Sequence, residues 1–310
     1  MISKADMLGS LYGKLQFSKI EKMMVVTGED AFMSADDMAL HIAEYFDGEK
    51  IVVRSSSSNE DGSMASNAGH YESVLDVDSS DADAVVDAVR RVLDSYRVDL
   101  DDVDGEQVLI QTQTENISYS GVAFSRELKK DRPYYTISYD VSSTDAVTSG
   151  RGGTTVYILR NARTEELPAH WAALITSMRE LEQFLPDYPL DVEFAIDEKY
   201  AVTIFQVRPL AASIKGVRSA IPDDKVFEAA DDSMAEYDAL CDKLGEKNTI
   251  LSDMAFWNPA EIIGINPHPL DFSLYREIIT SGAWNQGLSY IGYKYVDGDL
   301  VYKIGNKLYI

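Results

Sequence analysis

Leu190-Asp191-Val192-Glu193-Phe194-Ala195, then the turn Asp197-Glu198-Lys199, then Tyr200-Ala201-Val202-Thr203-Ile204-Phe205-Gln206-Val207 is the stretch that decides how this chain is read. Both apolar runs suit strands, and the short polar segment between them predicts a hairpin. Residues two apart on a strand share a face. Asp191 and Glu193 therefore point one way, as do Gln206 and Arg208. A register that sets the two pairs opposite each other gathers two carboxylates, an amide and a guanidinium in one patch. Carboxylates hold Mg2+, and arginine grips phosphate in a fork. An exposed cross-strand ion pair would use the same residue types.

Two further elements upstream fit a polyphosphate. In Val53-Arg54-Ser55-Ser56-Ser57-Ser58-Asn59-Glu60-Asp61 an apolar strand, Ile51–Val53, delivers one arginine into a run of hydroxyls. The run continues to Ser66-Asn67-Ala68-Gly69-His70-Tyr71-Glu72. Such a loop offers many backbone N–H and Ser O–H donors to phosphate, although a solvated serine-rich loop has the same composition. Val108-Leu109-Ile110-Gln111-Thr112-Gln113, leading to Ser120-Gly121-Val122-Ala123-Phe124-Ser125, is a strand entering a polar hinge that could present its groups to an adenine edge.

Around these elements the apolar period is helical, then β, then helical again. Asp36–Phe46 predicts a helix with Met38, Ile42 and Tyr45 on its stripe. Ala82–Tyr96 predicts another, with Val86, Val89, Leu93 and Tyr96 inward and Ser79 or Ser80 as cap. After the acidic turn 101–105, strands are expected at Gln107–Gln113, Ser118–Ser125, Tyr134–Asp140 and Thr155–Leu159. A helix over Pro168–Leu185 carries Trp171, Leu174, Ile175, Met178, Leu181 and Leu185 inward. Residues 214–219 read as a linker and Lys225–Leu244 as an acidic helix. Trp257-Asn258-Pro259-Ala260-Glu261 reads as a helix start. A further helix is expected over Leu270–Ile279, and strands over Leu300–Ile304 and Lys307–Ile310. A chain that ends on a strand-like run is expected to be a truncated product.

The 310 residues carry a formal net charge of −24. That balance argues against nucleic acid, which needs clustered Lys and Arg, and against anionic membranes. A bound polyphosphate must then be held by a few placed cations and by metal. No apolar run approaches the ~20 residues of a membrane span, so a cytoplasmic protein is expected. Cys241 is the only cysteine, which excludes an intramolecular disulfide, and it is expected to be buried. Gly9-Ser10-Leu11-Tyr12-Gly13-Lys14 has one spacer too few for a P-loop, and Gly150-Arg151-Gly152-Gly153 misses the dinucleotide fingerprint. No histidine pattern suits zinc. His41 is expected on a helix surface, and His268, between Pro267 and Pro269, in a structural turn.

Taken in order, V-R-S-S, E-D, S-x-A-G, I-Q (Ile110-Gln111, where the family has V-Q), S-G-V-A-F, D-x-E-x-A and Q-x-R-P resemble the N-terminal ATP-binding module of the phosphoenolpyruvate synthase and pyruvate phosphate dikinase family. The resemblance spans roughly residues 1–210. It implies an α+β chain of the ATP-grasp type, in which two lobes clamp Mg·ATP, followed by a mostly helical C-terminal extension. The lobes are expected at 1–105 and 106–213, and the extension at 214–310. By motif, Arg54 would contact the transferring phosphates and Arg208 would neutralise charge during transfer. Glu193 and Gln206 would hold the metal, with Asp191 in support. Lys4, Ser55, Ser66, Gly69, Gln111, Thr112 and Gln113 would complete the ATP contacts. The glycines that usually precede the family's first lysine are absent before Lys4.

The resemblance further implies a dikinase-type phosphotransferase that passes phosphate to a histidine on a swivelling domain, with AMP and phosphate as by-products. His41, His70, His170 and His268 all lack the family's S-H context. The phosphohistidine domain and the acceptor domain are therefore expected outside this chain. Asp140-Val141-Ser142-Ser143-Thr144-Asp145 replaces the family's G-L-G-E. With Trp257–Gly264 it is similar to the glutamine kinase branch of surface-polysaccharide synthesis, where the acceptor would be an amide. An ATP-grasp ligase and a non-catalytic nucleotide-binding module are the other readings.

Overall fold

The computed structural model describes residues 3–57, 71–100, 102–128, 131–141, 153–210, 221–244, 251–252, 260–295, 298–305 and 307–310. Two compact units divide the chain, Met1–Ala220 and Ile221–Ile310.

The first unit holds two sheets with separate cores. The four-stranded sheet consists of β2 (Met23–Thr27), β3 (Lys50–Ser55), β4 (Ser73–Asp78) and β5 (Gln107–Thr112), in the order β2-β5-β3-β4. Helices α2 (Gly28–Met33), α3 (Ala35–Phe46) and α4 (Ala82–Tyr96) accompany it. Its core gathers Ile42, Phe46, Val53, Val89, Leu93 and Ile110. The helix periods explain which faces are buried. On α3 the inward set is Met38, Ile42 and Phe46, at spacings of four. Tyr45, expected inward, is 38% exposed and holds the Lys22 ammonium 4.6 Å from its ring centroid. Asp81 caps α4, accepting from the Ala84 N–H, where Ser79 or Ser80 was expected.

The six-stranded sheet has the order β1-β10-β9-β6-β7-β8. Its strands are β1 (Ser18–Lys19), β6 (Ile117–Phe124), β7 (Tyr134–Val141), β8 (Thr154–Leu159), β9 (Leu190–Asp197) and β10 (Val202–Pro209). β1 runs parallel to β10, and every other pair is antiparallel. Helices α1 (Lys4–Leu11) and α5 (Ala169–Phe184) supply its core with Leu8, Leu11, Trp171, Leu174, Met178 and Leu181. The two sheets are not contiguous in sequence. α1 and β1 pack with the second, while β5, beyond the expected boundary at 105, completes the first.

Glycine explains one signature. A Cβ on Gly121 of β6 would lie 2.1 Å from the Ser138 carbonyl oxygen on β7. Only glycine lets the two backbones approach this closely.

The second unit contains α6 (Asp223–Leu244), α7 (Ala260–Ile263), α8 (Pro269–Tyr275), a π-helical turn (Arg276–Thr280), α9 (Ala283–Tyr290), and the hairpin β11 (Tyr302–Ile304) and β12 (Lys307–Tyr309). Trp284, Val301 and Leu308 form its small core. The mixed class with a helical C-terminal part is as expected. Pro269 opens α8 and His268 is its N-cap residue, in extended backbone and with no side-chain cap hydrogen bond. Cys241 is half-buried rather than buried. Of the expected helix start Trp257–Glu261, residues 257–259 lie outside the described residues, and so do residues 142–150 of the departure segment that begins at Asp140. No helix among the described residues is long and apolar enough to cross a membrane.

Candidate functional site

A cleft of about 450 Å³ opens between the two sheets of the first unit. The hairpin β9–β10 forms one wall. Gln206 lies opposite Glu193 and Arg208 opposite Asp191, the register the sequence needed. A β-bulge between Ile204 and Gln206 makes this possible. Val202 and Ile204 point into the core with Val192, Phe194 and Ile196. Strict alternation would turn Gln206 and Arg208 inward as well. The extra residue, Phe205, reverses the phase, so that Val207 returns to the core and Gln206 and Arg208 face the cleft.

β3 delivers Arg54 from the other wall. Its Nη2 donates to Glu193 Oε2 at 3.2 Å, and its Nη1 donates to the Phe205 carbonyl at 3.3 Å. The guanidinium carbon sits 5.7 Å from the Phe205 ring centroid. Arg54 therefore joins the first sheet to the bulge of the second. On the hairpin itself, Arg208 Nη2 donates to Asp191 Oδ2 at 2.9 Å.

Lys4 is the first helical residue of α1 and is buried at the cleft. Three contacts fix it there. The Ser3 hydroxyl caps the helix by accepting from the Asp6 N–H, and it donates to Gln107 Oε1 at 2.7 Å. Ser56 Oγ accepts from the Ala5 N–H at 2.9 Å. Tyr96 Oη, in turn, accepts from the Ser56 N–H and donates to the Gln107 carbonyl. Buried serines after β3 thus serve as framework, while Ser55 lines the cleft.

Glu193 is 7% exposed. Burial pushes its carboxyl up, but Arg54, Lys4 and Arg208 together hold it below the ordinary carboxylate value. It is therefore an anion inside a cage of three cations. In a chain of net charge −24 this local excess of positive charge is a specific construction.

Of the expected ATP contacts, Lys4, Arg54, Ser55, Gln111, Thr112, Gln113, Glu193, Gln206 and Arg208 all line the cleft. Asp191 does not; it is buried and engages Arg208. Thr112 and Gln113 are less available than their position suggests. Thr112 Oγ1 donates to Glu49, and the Gln113 carboxamide is spent on the N–H and side chain of Asp76. Ser66 and Gly69 lie outside the described residues. Sequence reasoning missed Glu21, Val52, Ser73, Leu75, Ile117 and Phe205 as lining residues. The strand pairing shows why Val52, Ser73 and Leu75 belong: Val52 lies opposite Gln111 and Ser73 opposite Arg54, on the cleft face.

Residues 35–141 match the family model described as pyruvate phosphate dikinase, AMP/ATP-binding domain. ATP binding is thereby supported. The match takes in Arg54 and Gln111 and stops before the hairpin that carries Glu193 and Arg208. No curated protein matches the chain. Similar solved structures include PH1788 from Pyrococcus horikoshii Ot3, at 13% identity and TM-score 0.44, covering 67% of this chain and 90% of that one. A D-alanine-D-alanine ligase from Helicobacter pylori is similar at 13% identity and TM-score 0.37, covering 71% of this chain and 54% of that one. The dinucleotide-forming acetyl-coenzyme A synthetase 1 of Ca. Korarchaeum cryptofilum is similar at 12% identity and TM-score 0.41, covering 67% and 92%.

Proposed function

We propose that the first unit is the Mg·ATP-binding part of an ATP-grasp phosphotransferase similar to phosphoenolpyruvate synthase. One phosphoryl group of ATP would pass to a histidine on a separate domain and the other to water, leaving AMP and phosphate. The carrying observation is Arg54 reaching across the cleft to Glu193 and the Phe205 carbonyl, with Lys4 and Arg208 completing the cationic cage. Phosphoryl transfer asks mainly for positioning and charge neutralisation, and this is what the residues supply. Arg54 and Arg208 would bind phosphate oxygens, and Lys4, pinned at the start of α1, would add a third positive charge.

Among the described residues no group of three or more His, Cys, Asp or Glu could enclose a metal. Mg2+ does not need one, since it commonly takes one or two protein ligands and fills its shell with phosphate and water. Glu193 and Gln206, opposite each other at the cleft, fit that modest donor set. Bound there, Mg2+ would neutralise phosphate charge. No histidine lines the cleft among the described residues; His41 is exposed on α3, and His170 is stacked on Tyr119 with ring centroids 4.6 Å apart. On this reading the acceptor histidine belongs to a separate domain.

Isothermal titration with Mg2+ and a non-hydrolysable ATP analogue tests the reading. Binding to the natural chain and loss of the heat in Arg54→Ala are expected. An absence of heat with the natural chain, or undiminished binding by the variant, would overturn it.

A further inference from the structure

We propose that Ser3, Ser56 and Tyr96 are positioning residues for the phosphate end of the cleft: closed on Gln107, they form a buried clasp that holds the Lys4 ammonium in place without touching the ligand. None of the four lines the cleft, whereas Lys4 does. The inference rests on the nucleotide-binding role proposed above and names residues on which that role depends at a distance.

The start of α1 decides what a phosphate meets there. A helix N-terminus ordinarily offers its free N–H groups to an anion. Two of those donors are already taken here. Ser56 Oγ accepts from the Ala5 N–H at 2.9 Å, and Ser3 Oγ accepts from the Asp6 N–H at 3.1 Å. Asp6 adds a negative charge to the same turn. The group that this turn brings to the cleft is therefore the Lys4 side chain. A lysine ammonium is a point charge on a flexible stem. It serves one phosphate position only if the root of that stem is fixed.

The root is fixed from both sheets. Ala5, Leu8 and Leu11 pack into the core of the six-stranded sheet with Val202 and Val207. The clasp belongs to the four-stranded sheet: Ser56 follows β3, Tyr96 ends α4 and Gln107 opens β5. The Tyr96 hydroxyl is its pivot. It accepts from the Ser56 N–H at 2.8 Å and donates to the Gln107 carbonyl at 2.7 Å. Gln107 Oε1 in turn accepts from the Ser3 hydroxyl at 2.7 Å. Ser3, Ser56 and Tyr96 are all buried, where losing one partner is costly. Packing alone does not ask for the Tyr96 hydroxyl. A phenylalanine ring would sit against Tyr71 as the tyrosine ring does, at 4.9 Å between centroids, and would leave the Ser56 N–H without this acceptor. The division of labour at the end of β3 is also specific. Arg54 and Ser55 line the cleft, while Ser56 turns to α1. One strand end thus delivers the arginine and anchors the lysine, which fixes the two cations relative to each other.

The test is a double-mutant cycle on the full chain, read by titration. One probe is Mg2+ with a non-hydrolysable ATP analogue, and the other is inorganic tripolyphosphate, which reports the phosphate end alone. Ser56→Ala and Tyr96→Phe should each weaken both probes by about fivefold, the scale of coupling between contacting neighbours. In a Lys4→Met background the same substitutions should cost no further affinity, because the charge they position is gone. Ser3→Ala should behave like Ser56→Ala, and Ser3→Thr, which keeps the hydroxyl, should restore binding. Undiminished affinity in the single variants, or losses of equal size with and without the Lys4 ammonium, would show that the clasp serves the fold alone. Either result would overturn the inference while leaving the nucleotide site standing. Failure of the natural chain to bind either probe would remove the site and the inference with it. Should Ser56→Ala or Tyr96→Phe fail to fold, or Lys4→Met bind too weakly to titrate, the Ser3 pair decides: no loss in Ser3→Ala, or no recovery in Ser3→Thr, would overturn the clasp.

Discussion

Glu193 is the residue whose chemistry depends most on its neighbours. Its folded pKa lies below the ordinary 4.5 because Arg54, Lys4 and Arg208 outweigh the burial that pushes it up. The stability it contributes is thus present above pH 4.5 and is lost as the pH falls through the folded value. Arg54→Met should cost about 3 kcal/mol at pH 7, the lower end for a broken buried pair, because Lys4 and Arg208 remain. The deficit should shrink at pH 4, where the stranded carboxylate can take a proton. Urea unfolding of both proteins at the two pH values checks this, and an equal deficit at both would count against the cage. Gln111 calls for the opposite experiment. Replacing a buried amide whose Nε2 has no acceptor among the described residues with Leu removes a penalty, so the ligand-free Gln111→Leu chain should melt no lower than the natural one. A gain of about 1 kcal/mol is expected. At this scale the sequence was informative wherever charge and spacing carried the signal, as at Arg54, Glu193 and Arg208. It was silent on Glu21, which sits outside every motif and matters only through the β2–β5 ladder.

Elements explain the motif residues that packing demands. Gly121 of S-G-V-A-F is a packing requirement, since any Cβ there would strike the Ser138 carbonyl. Gly121→Ala should therefore destabilise the chain by about 2 kcal/mol through strain between β6 and β7. Thermal melting measures it, and a neutral result would mean that β7 yields easily. The hairpin, α4 and α5 were legible because long periodic patterns dominate there. α1 was not, although Ser3 followed three residues later by Asp6 is a capping signal that could have marked it. β2 was missed for a different reason: Met23-Met24-Val25-Val26 is too short to tell strand from helix. The bulge at Phe205 has no sequence signature at all. The expected pairing of Gln206 with Glu193 holds because of it, not because the strand alternates.

At the scale of the molecule, all described residues lining the cleft belong to the first unit, within Met1–Ala220. A chain of residues 1–220 should unfold cooperatively and keep the affinity of the full chain for the ATP analogue. Calorimetry of the fragment, followed by titration, tests both points. A fragment that folds but binds poorly would show that residues 221–310 contribute to the site. The order of the two sheets was only partly legible, because β5 and α1 pack with partners distant in the chain and a local pattern cannot name them.

The phase reversal at Phe205 also bears on how such a site could change over generations. Loss of the Phe205 codon would remove the bulge and set Gln206 directly after Ile204, so strict alternation would keep Gln206 and Arg208 facing the cleft. A relative one residue shorter here could thus keep both side chains in place while giving up the aromatic ring beside Arg54.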